Sequence, residues 1–578
     1  MRRQARVALL LFAGVASLFA SQNLTQAAST LWTYKSPTDV KWHQLTDVST
    51  LLIGTDDGIT SLDPEKGTPV WQRTDLKKVA QYQVEEIKGT PVLLVSVNEG
   101  GFSNKTKMLG LDITSGQTLW ETEKLKGATV GFLPIYQKNM VIVLTTRAAS
   151  ATKDKPDMIA LDMLSGETKW ESEFADKVDM QLADSSGKFF QKYDLSGYED
   201  PVYEGDMAYF TYRGLHCYDL NTGKMVWGVP YDVTEKTYKK ANAKAIIDGD
   251  VIYTSSKGVI KAHDKATGAV KWTSKDFGGG VAQMALRGTT LYGRMGGQFY
   301  EYKEREWKLA KPLGIVALDK ATGNTLWRYD DAKDGITNMA LLPNQDVVML
   351  ADSKSLIGLD SSGKEAFRVP LEFKHKFGTG AKAAKAGMKF MRGGALAFAK
   401  KDTSDLDLPF VIDLREDGKA VVRGAQHALA FDPQTKQIAW STQFPAPGVS
   451  GWKLAVMAGL AAMQYGYHYS RASQTQFGTF TNTQANNAKA KAVADYEKLF
   501  NKRYSATKST SGFAYVLTEI QEDKDNKGAG LVGLNLNSGE VEHQVLLKMK
   551  EPDYDVDELE GRIFNVKDKK ELTAYSVR

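Results

Sequence analysis

The chain has 578 residues, of which 42% are hydrophobic, 10% aromatic and 25% charged, proportions that exclude disordered, collagenous and coiled-coil classes and suffice for a large core. Its single cysteine excludes an intramolecular disulfide, a multi-cysteine metal centre and a Cys-x-x-Cys redox pair. A formal charge of +5 gives no indication of a nucleic-acid partner.

At the N-terminus, Arg2, Arg3 and Arg6 precede an uncharged apolar run at residues 7–20, and small residues follow, with an A-x-A-like site at Thr25-Gln26-Ala27. This is the layout of a secretory signal peptide; the apolar run is shorter than the ~20 residues a spanning helix needs. The expectation is export, with residues 1–27 removed and no transmembrane span in residues 28–578. The leader carries three of the 74 basic residues and none of the 69 acidic ones, so the remainder is near neutral.

From residue 28 onward the chain is a repeat array. Leu62-Asp63-Pro-Glu-Lys-Gly67-Thr-Pro-Val-Trp71 returns as Leu111-Asp112-Ile-Thr-Ser-Gly116-Gln-Thr-Leu-Trp120 and Leu161-Asp162-Met-Leu-Ser-Gly166-Glu-Thr-Lys-Trp170. Further copies centre on Asp219/Gly223/Trp227, Asp264/Gly268/Trp272 and Asp319/Gly323/Trp327. Degenerate copies centre on Asp360/Gly363 with Phe367 in the Trp place, on Asp432/Trp440 with Lys436 in the Gly place, and on Asn535/Gly539. The mean spacing of roughly 59 residues is that of a propeller, solenoid or array.

Each copy reads as a half-buried strand, a tight turn and a second strand. The Asp carboxylate can accept backbone amides two residues on, and Gly supplies a positive φ at no steric cost. The Trp then packs between neighbouring sheets. One or two more strand-like runs precede most copies, as at residues 245–254 and 346–350, giving the four strands of a propeller blade. Residues 29–35 carry Trp32 with no repeat before them, and 554–559, 562–567 and 571–577 read as three strands with no Trp strand after them. Together these make one blade that closes the ring. The acidic run at 551–560 is expected at an exposed edge of that blade, where charge discourages edge pairing.

Two insertions interrupt the array, at about 373–394 and at 448–511. The first is basic and could meet an anionic surface such as lipid headgroups, a possible peripheral membrane contact. The second opens with an apolar stretch beginning at Trp452, continues through Tyr465, Tyr467 and Tyr469, and ends in a run with helical spacing. It reads as a partly helical cap or a partner-binding surface, with those four aromatics as candidates, or as a helical pair packed on the ring's flank. Asp523-Lys-Asp525-Asn-Lys-Gly528 resembles the start of a calcium loop, but Leu534 stands where the bidentate Glu is required, and a solvated hairpin is expected. His216, His263 and Cys217 sit in repeat strands, where packing is the expected role.

The LD-x-x-(T/S)-G-x-x-x-W copies resemble the quinoprotein-like (PQQ-like) tryptophan-docking propeller repeats of quinoprotein alcohol dehydrogenases and of the outer-membrane assembly lipoprotein of the β-barrel insertion machinery. The resemblance implies an all-β fold, one large propeller of four-stranded antiparallel blades. Eight is the family's usual number, and the repeats here allow up to ten. Trp32, Trp71, Trp120, Trp170, Trp227, Trp272, Trp327 and Trp440 are then structural. For function it implies an exported, non-catalytic scaffold with protein partners in the bacterial periplasm or at the outer-membrane periphery, in outer-membrane protein assembly. The alternative it implies is a propeller binding a small ligand or PQQ with calcium, up to a dehydrogenase. Many such dehydrogenases carry an adjacent cysteine pair that the lone Cys217 cannot form, and no ligand set transfers residue by residue. No cofactor and no catalytic residue is therefore expected.

Overall fold

The computed structural model describes residues 26–99, 105–148, 153–174, 178–179, 201–211, 214–230, 243–301, 306–373, 376–377, 407–424, 426–446, 492, 512–521, 525, 527–549, 552–557 and 559–577. Each repeat copy forms the last two antiparallel strands of a sheet, the third and fourth in blades one to eight. In blade one, Val40–Leu45, Leu51–Thr55, Gly58–Leu62 and Pro69–Arg73 pair in chain order, innermost to outermost. Blades two to eight repeat this order. Blade nine has three antiparallel strands, Phe513–Gln521, Lys527–Asn535 and Val541–Leu546, with Gln26–Ala27 laid parallel on its outer edge. Blade ten joins Asp553–Asp557, Arg562–Lys567 and Glu571–Ser576 to the N-terminal strand Ser29–Lys35.

The fold is therefore all-β, a ring of ten blades closed by strands from both ends of the chain. The copies at Asp360 and Asp432 belong to full four-stranded blades, seven and eight. Alternation along the strands explains the core: inner positions such as Leu51, Ile53, Leu93 and Val143 are fully buried between successive sheets, each adding about 1.5–3 kcal/mol relative to exposure.

What joins one blade to the next is the tryptophan. Trp71 lies over Gly116 of blade two and its Nε1 donates to Ile113 O at 3.0 Å. Trp120 covers Gly166 and donates to Met163 O at 3.2 Å; Trp170 covers Gly223 and donates to Leu220 O at 2.8 Å. Trp272 and Trp327 do the same over Gly323 and Gly363, and Trp32 of blade ten docks on Gly67 of blade one. The last contact ties the end of the ring to its beginning. Trp227 and Trp440 cover Gly268 and Gly539. The turn itself is fixed by its Asp: Asp63 Oδ1 accepts from Glu65 N at 2.8 Å, and Gly67 N donates to Asp63 O at 2.8 Å. Asp112, Asp162, Asp219, Asp264 and Asp319 accept the amide two residues on in the same way. A register shift precedes the docking aromatic of blades one to ten, as between Pro69 and Trp71. This bulge turns the residue before the Trp outward, which leaves Leu31, Val70, Val226 and Leu326 exposed and interrupts the outer edge as a pairing template; in blade nine the edge still takes Gln26–Ala27, on the far side of the bulge.

One expectation is corrected in part. The acidic run at 551–560 does supply an edge strand of blade ten, exposed at Asp553, but it is the inner edge and is buried at its Asp557 end. Because Ser29–Lys35 takes the outermost place in blade ten, Asp553–Asp557 is left innermost, at the seam with blade one. Asp557 is fully buried there and accepts Ser49 Oγ at 2.9 Å.

Candidate partner-binding face

In an antiparallel blade the first-to-second and third-to-fourth connections emerge on one face, and the second-to-third hairpins and blade-to-blade crossings on the other. On the first face the turns are short and bonded across blades. Lys265 Nζ reaches Glu204 and Lys320 Nζ reaches Asp248, both at 2.6 Å, and Lys138 pairs with Asp206. The second face takes both ends of the long connections at 174–202, 230–246 and 373–411, the start of the connection at 446–513, which enters blade nine from the first face where Phe513 pairs with Asn535, and the extended hairpins of blades two, three, six and nine. Loops held on a rigid scaffold are where binding surfaces concentrate.

Both insertions singled out in the sequence start from this face, off neighbouring blades seven and eight. Trp452, Tyr465, Tyr467 and Tyr469 lie outside the described residues, as does most of 373–394. In sequence, residues 374–406 and 447–511 each carry eight Lys or Arg against two Asp or Glu, in a chain that is otherwise net acidic. Their described roots meet. Lys376–Phe377 pairs in parallel with Pro445–Ala446, and Thr518 Oγ1 of blade nine donates to Pro445 O at 2.6 Å. Beneath them Phe373 stacks on His427 with ring centroids 4.3 Å apart. Asp407, buried at the end of the first insertion, accepts Gln426 N at 2.8 Å, and Gln426 Nε2 donates to Leu517 O at 2.9 Å. Blades seven, eight and nine are thus joined under the place where the insertions leave.

One compact ionisable cluster among the described residues is one that the motif reading passed over. His43, on the innermost strand of blade one, donates from Nδ1 to Asp555 Oδ2 at 2.6 Å and from Nε2 to Asp553 Oδ1 at 3.0 Å. Burial alone would lower its pKa, but the two hydrogen bonds and the charges of Asp553 and Asp555 raise it to about 10. The bond to His43 in turn holds the Asp553 carboxyl below its ordinary range. His43 is thus an imidazolium clamped between two carboxylates across the ring's seam. No spacing motif links residues about 510 apart; only the inference that the two chain ends share a seam could have paired them.

The other titratable groups are packed away. Cys217 faces Trp227 across the sheet and is 2% exposed, and burial pushes its thiol up to about 11. His263 bonds Gly268 O at 3.0 Å, and burial lowers its pKa. His543 occupies the Trp place of blade nine, over Gly533. Leu534 is fully buried in the core, so the hairpin around 525–528 ends in packing, with no twelfth-position ligand. Among the described residues no group of three or more His, Cys, Asp or Glu is arranged to hold a metal ion.

The family model described as outer membrane protein assembly factor BamB, of the PQQ-like repeat class, matches residues 55–306. This stretch runs from the third strand of blade one through blade five and into blade six, and over it the chain's repeats are similar to those of the PQQ-like propeller family. No curated protein matches the chain in sequence. Among solved structures, BamB from Moraxella catarrhalis is 14% identical with a TM-score of 0.34, covering 72% of this chain and 100% of that one. The computationally designed Ika8 protein is 11% identical with a TM-score of 0.33, covering 72% and 98%. The WD40 propeller domain of Doa1 is 9% identical with a TM-score of 0.26, covering 69% and 94%. No helix among the described residues is long and apolar enough to cross a membrane.

Proposed function

From a ten-blade ring of PQQ-like repeats, we propose an exported, non-catalytic scaffold that holds protein partners in the bacterial envelope and serves outer-membrane protein assembly. The observation that carries this reading is the match of residues 55–306 to the outer-membrane assembly factor model. It is supported by three of the four long connections starting and ending on one face, opposite a face of short cross-bonded turns. The basic, apolar, small-residue order of residues 1–27 supports export. A ring that spends its repeats on blade-to-blade docking makes a rigid platform, and the partners meet its loops. The test is co-purification of the full chain, tagged at its C-terminus, from detergent-solubilised envelope. Recovery of a defined outer-membrane assembly complex in constant ratio is expected; recovery of the ring alone from the envelope contradicts the reading.

A further inference from the structure

The junction of blades nine and ten is built unlike the others. At eight junctions a tryptophan covers the next blade's turn glycine, from Trp32 over Gly67 to Trp440 over Gly539. Between blades seven and eight Phe367 packs on Phe431, with ring centroids 4.9 Å apart. Blade ten offers blade nine no such turn. Its third strand ends at Ser576 and its fourth begins at Ser29; the two come from opposite ends of the chain and pair there directly, so no Asp-x-x-x-Gly loop joins them. Blade nine correspondingly lacks the tryptophan. His543 stands in its place, lying over Gly533 and 3.4 Å from Tyr515 Oη, both of its own blade.

What crosses this junction is the segment that leads into blade ten. Gln26 and Ala27 pair in parallel with His543 and Gln544, along the outer strand of blade nine. Ala28 N donates to Gln544 O at 2.9 Å, and Ser29 then opens the outer strand of blade ten against Ser576. Ala28 packs half-buried against a core that Tyr515, Leu531 and Val545 of blade nine share with Ile563 and Val577 of blade ten. Residues 26–28 therefore span the two blades at His543, the position from which a tryptophan reaches across elsewhere. A cut after Ala27, at the A-x-A-like site, would delete both parallel pairs. It would also leave an α-ammonium on Ala28 beside that apolar core, a charge that is costly to desolvate. Small residues also follow the apolar run at Ala20-Ser21, and a cut between them leaves the crossing intact.

We propose that residues 26–28 are a permanent strap closing the ring at the junction that lacks a Trp or Phe dock, and that the leader is therefore cut after Ala20, not after Ala27. The cut is a hydrolysis by a leader peptidase of the export machinery: water adds across the Ala20–Ser21 amide, leaving a carboxyl on Ala20 and an amine on Ser21. The cut rests on the export reading; the strap does not. The full chain is expressed with its own leader, purified from the envelope, and its first residue read by intact mass and N-terminal sequencing. A start at Ser21 is expected; any other cleaved start overturns the cut, and a start beyond Gln26 overturns the strap with it. Chains made to begin at Ser21 and at Ala28 are then compared by native-state hydrogen exchange. The amides of 541–546 and 562–577 are expected to exchange about tenfold faster in the shorter chain, with those of blades two to five unchanged. Equal exchange in the two chains, or a rise shared by all blades alike, overturns the strap. Should the shorter chain misfold, Ala28→Pro in the longer chain removes the amide bonded to Gln544 O and is expected to reproduce the local increase; an unchanged pattern overturns the strap. A chain recovered with its leader uncut contradicts the export reading and the cut together, and the exchange comparison then decides the strap by itself.

Discussion

Gly116 shows at the scale of one residue how the ring is specified. Its φ is +70°, and a Cβ there would sit 2.6 Å from Trp71 Cδ2, so both backbone and packing demand glycine. Gly205, at φ +57° with nothing within 4 Å, faces the backbone demand alone. Gly205→Ala is therefore expected to cost about 1–2 kcal/mol, and Gly116→Ala about 2–4 kcal/mol, because Trp71 must also move. Urea unfolding of the two variants checks the difference. His43 makes a second residue-scale prediction. Its pKa is about 10 in the ring against about 6.5 unfolded. The stability it contributes is fully present below pH 6.5 and is lost as pH rises through 10. Asp553, with its pKa lowered, contributes above the ordinary carboxylate range and loses that contribution as pH falls through it. His43→Asn should flatten the alkaline limb of Tm against pH and cost about 1.5–3 kcal/mol at pH 6. An unchanged alkaline limb in the variant would contradict the clamp. The docking Trp, Asp and Gly were legible because they recur. His43 was not, since its partners meet it only once the ring closes.

Among the elements, the docking hairpin is regular from blade one round to blade six and degenerates in blades seven to nine, around the roots of the two insertions. Phe367 stands in for Trp at the junction of blades seven and eight, and Lys436, at φ +58°, stands where the turn glycine belongs. The Trp440 indole N–H is buried without a hydrogen-bond partner among the described residues, and His543 replaces the Trp of blade nine. Lys436→Gly should therefore stabilise the ring by about 0.5–1 kcal/mol, relieving a left-handed side-chain residue, as read by urea midpoint at constant slope. Native-state hydrogen exchange should be faster in blades eight and nine than in blades one to three. Blade existence was readable in the sequence even here, because Asp360 and Asp432 kept the turn signal. Strand extent was not: nothing in the repeat marks how far the blade-six hairpin runs past its neighbours, although Trp307 stood outside the repeat pattern. The acidic run at 551–560 lies at a blade edge as its charge suggests, but charge pattern does not tell an inner edge from an outer one, nor that the buried His43 waits across the seam.

For the whole molecule, ring closure and the division into two faces follow from topology. Four strands per blade in chain order force the short turns to one side and the crossings to the other, so insertions of any origin accumulate on one face. What the sequence lacked was any local signal for what that face binds, since its aromatic and basic segments belong to no repeat and no motif. The account places all partner contact on it. The direct test is site-specific photo-crosslinking in intact cells, with the reactive group at Lys78, Glu123 or Lys275 on the loop-bearing face and at Lys66, Glu167 or Lys224 on the short-turn face, positions that are all exposed. The account predicts discrete adducts to envelope proteins from the first three positions and none from the second three. Adducts from the short-turn positions, with the loop-bearing positions silent, would contradict it.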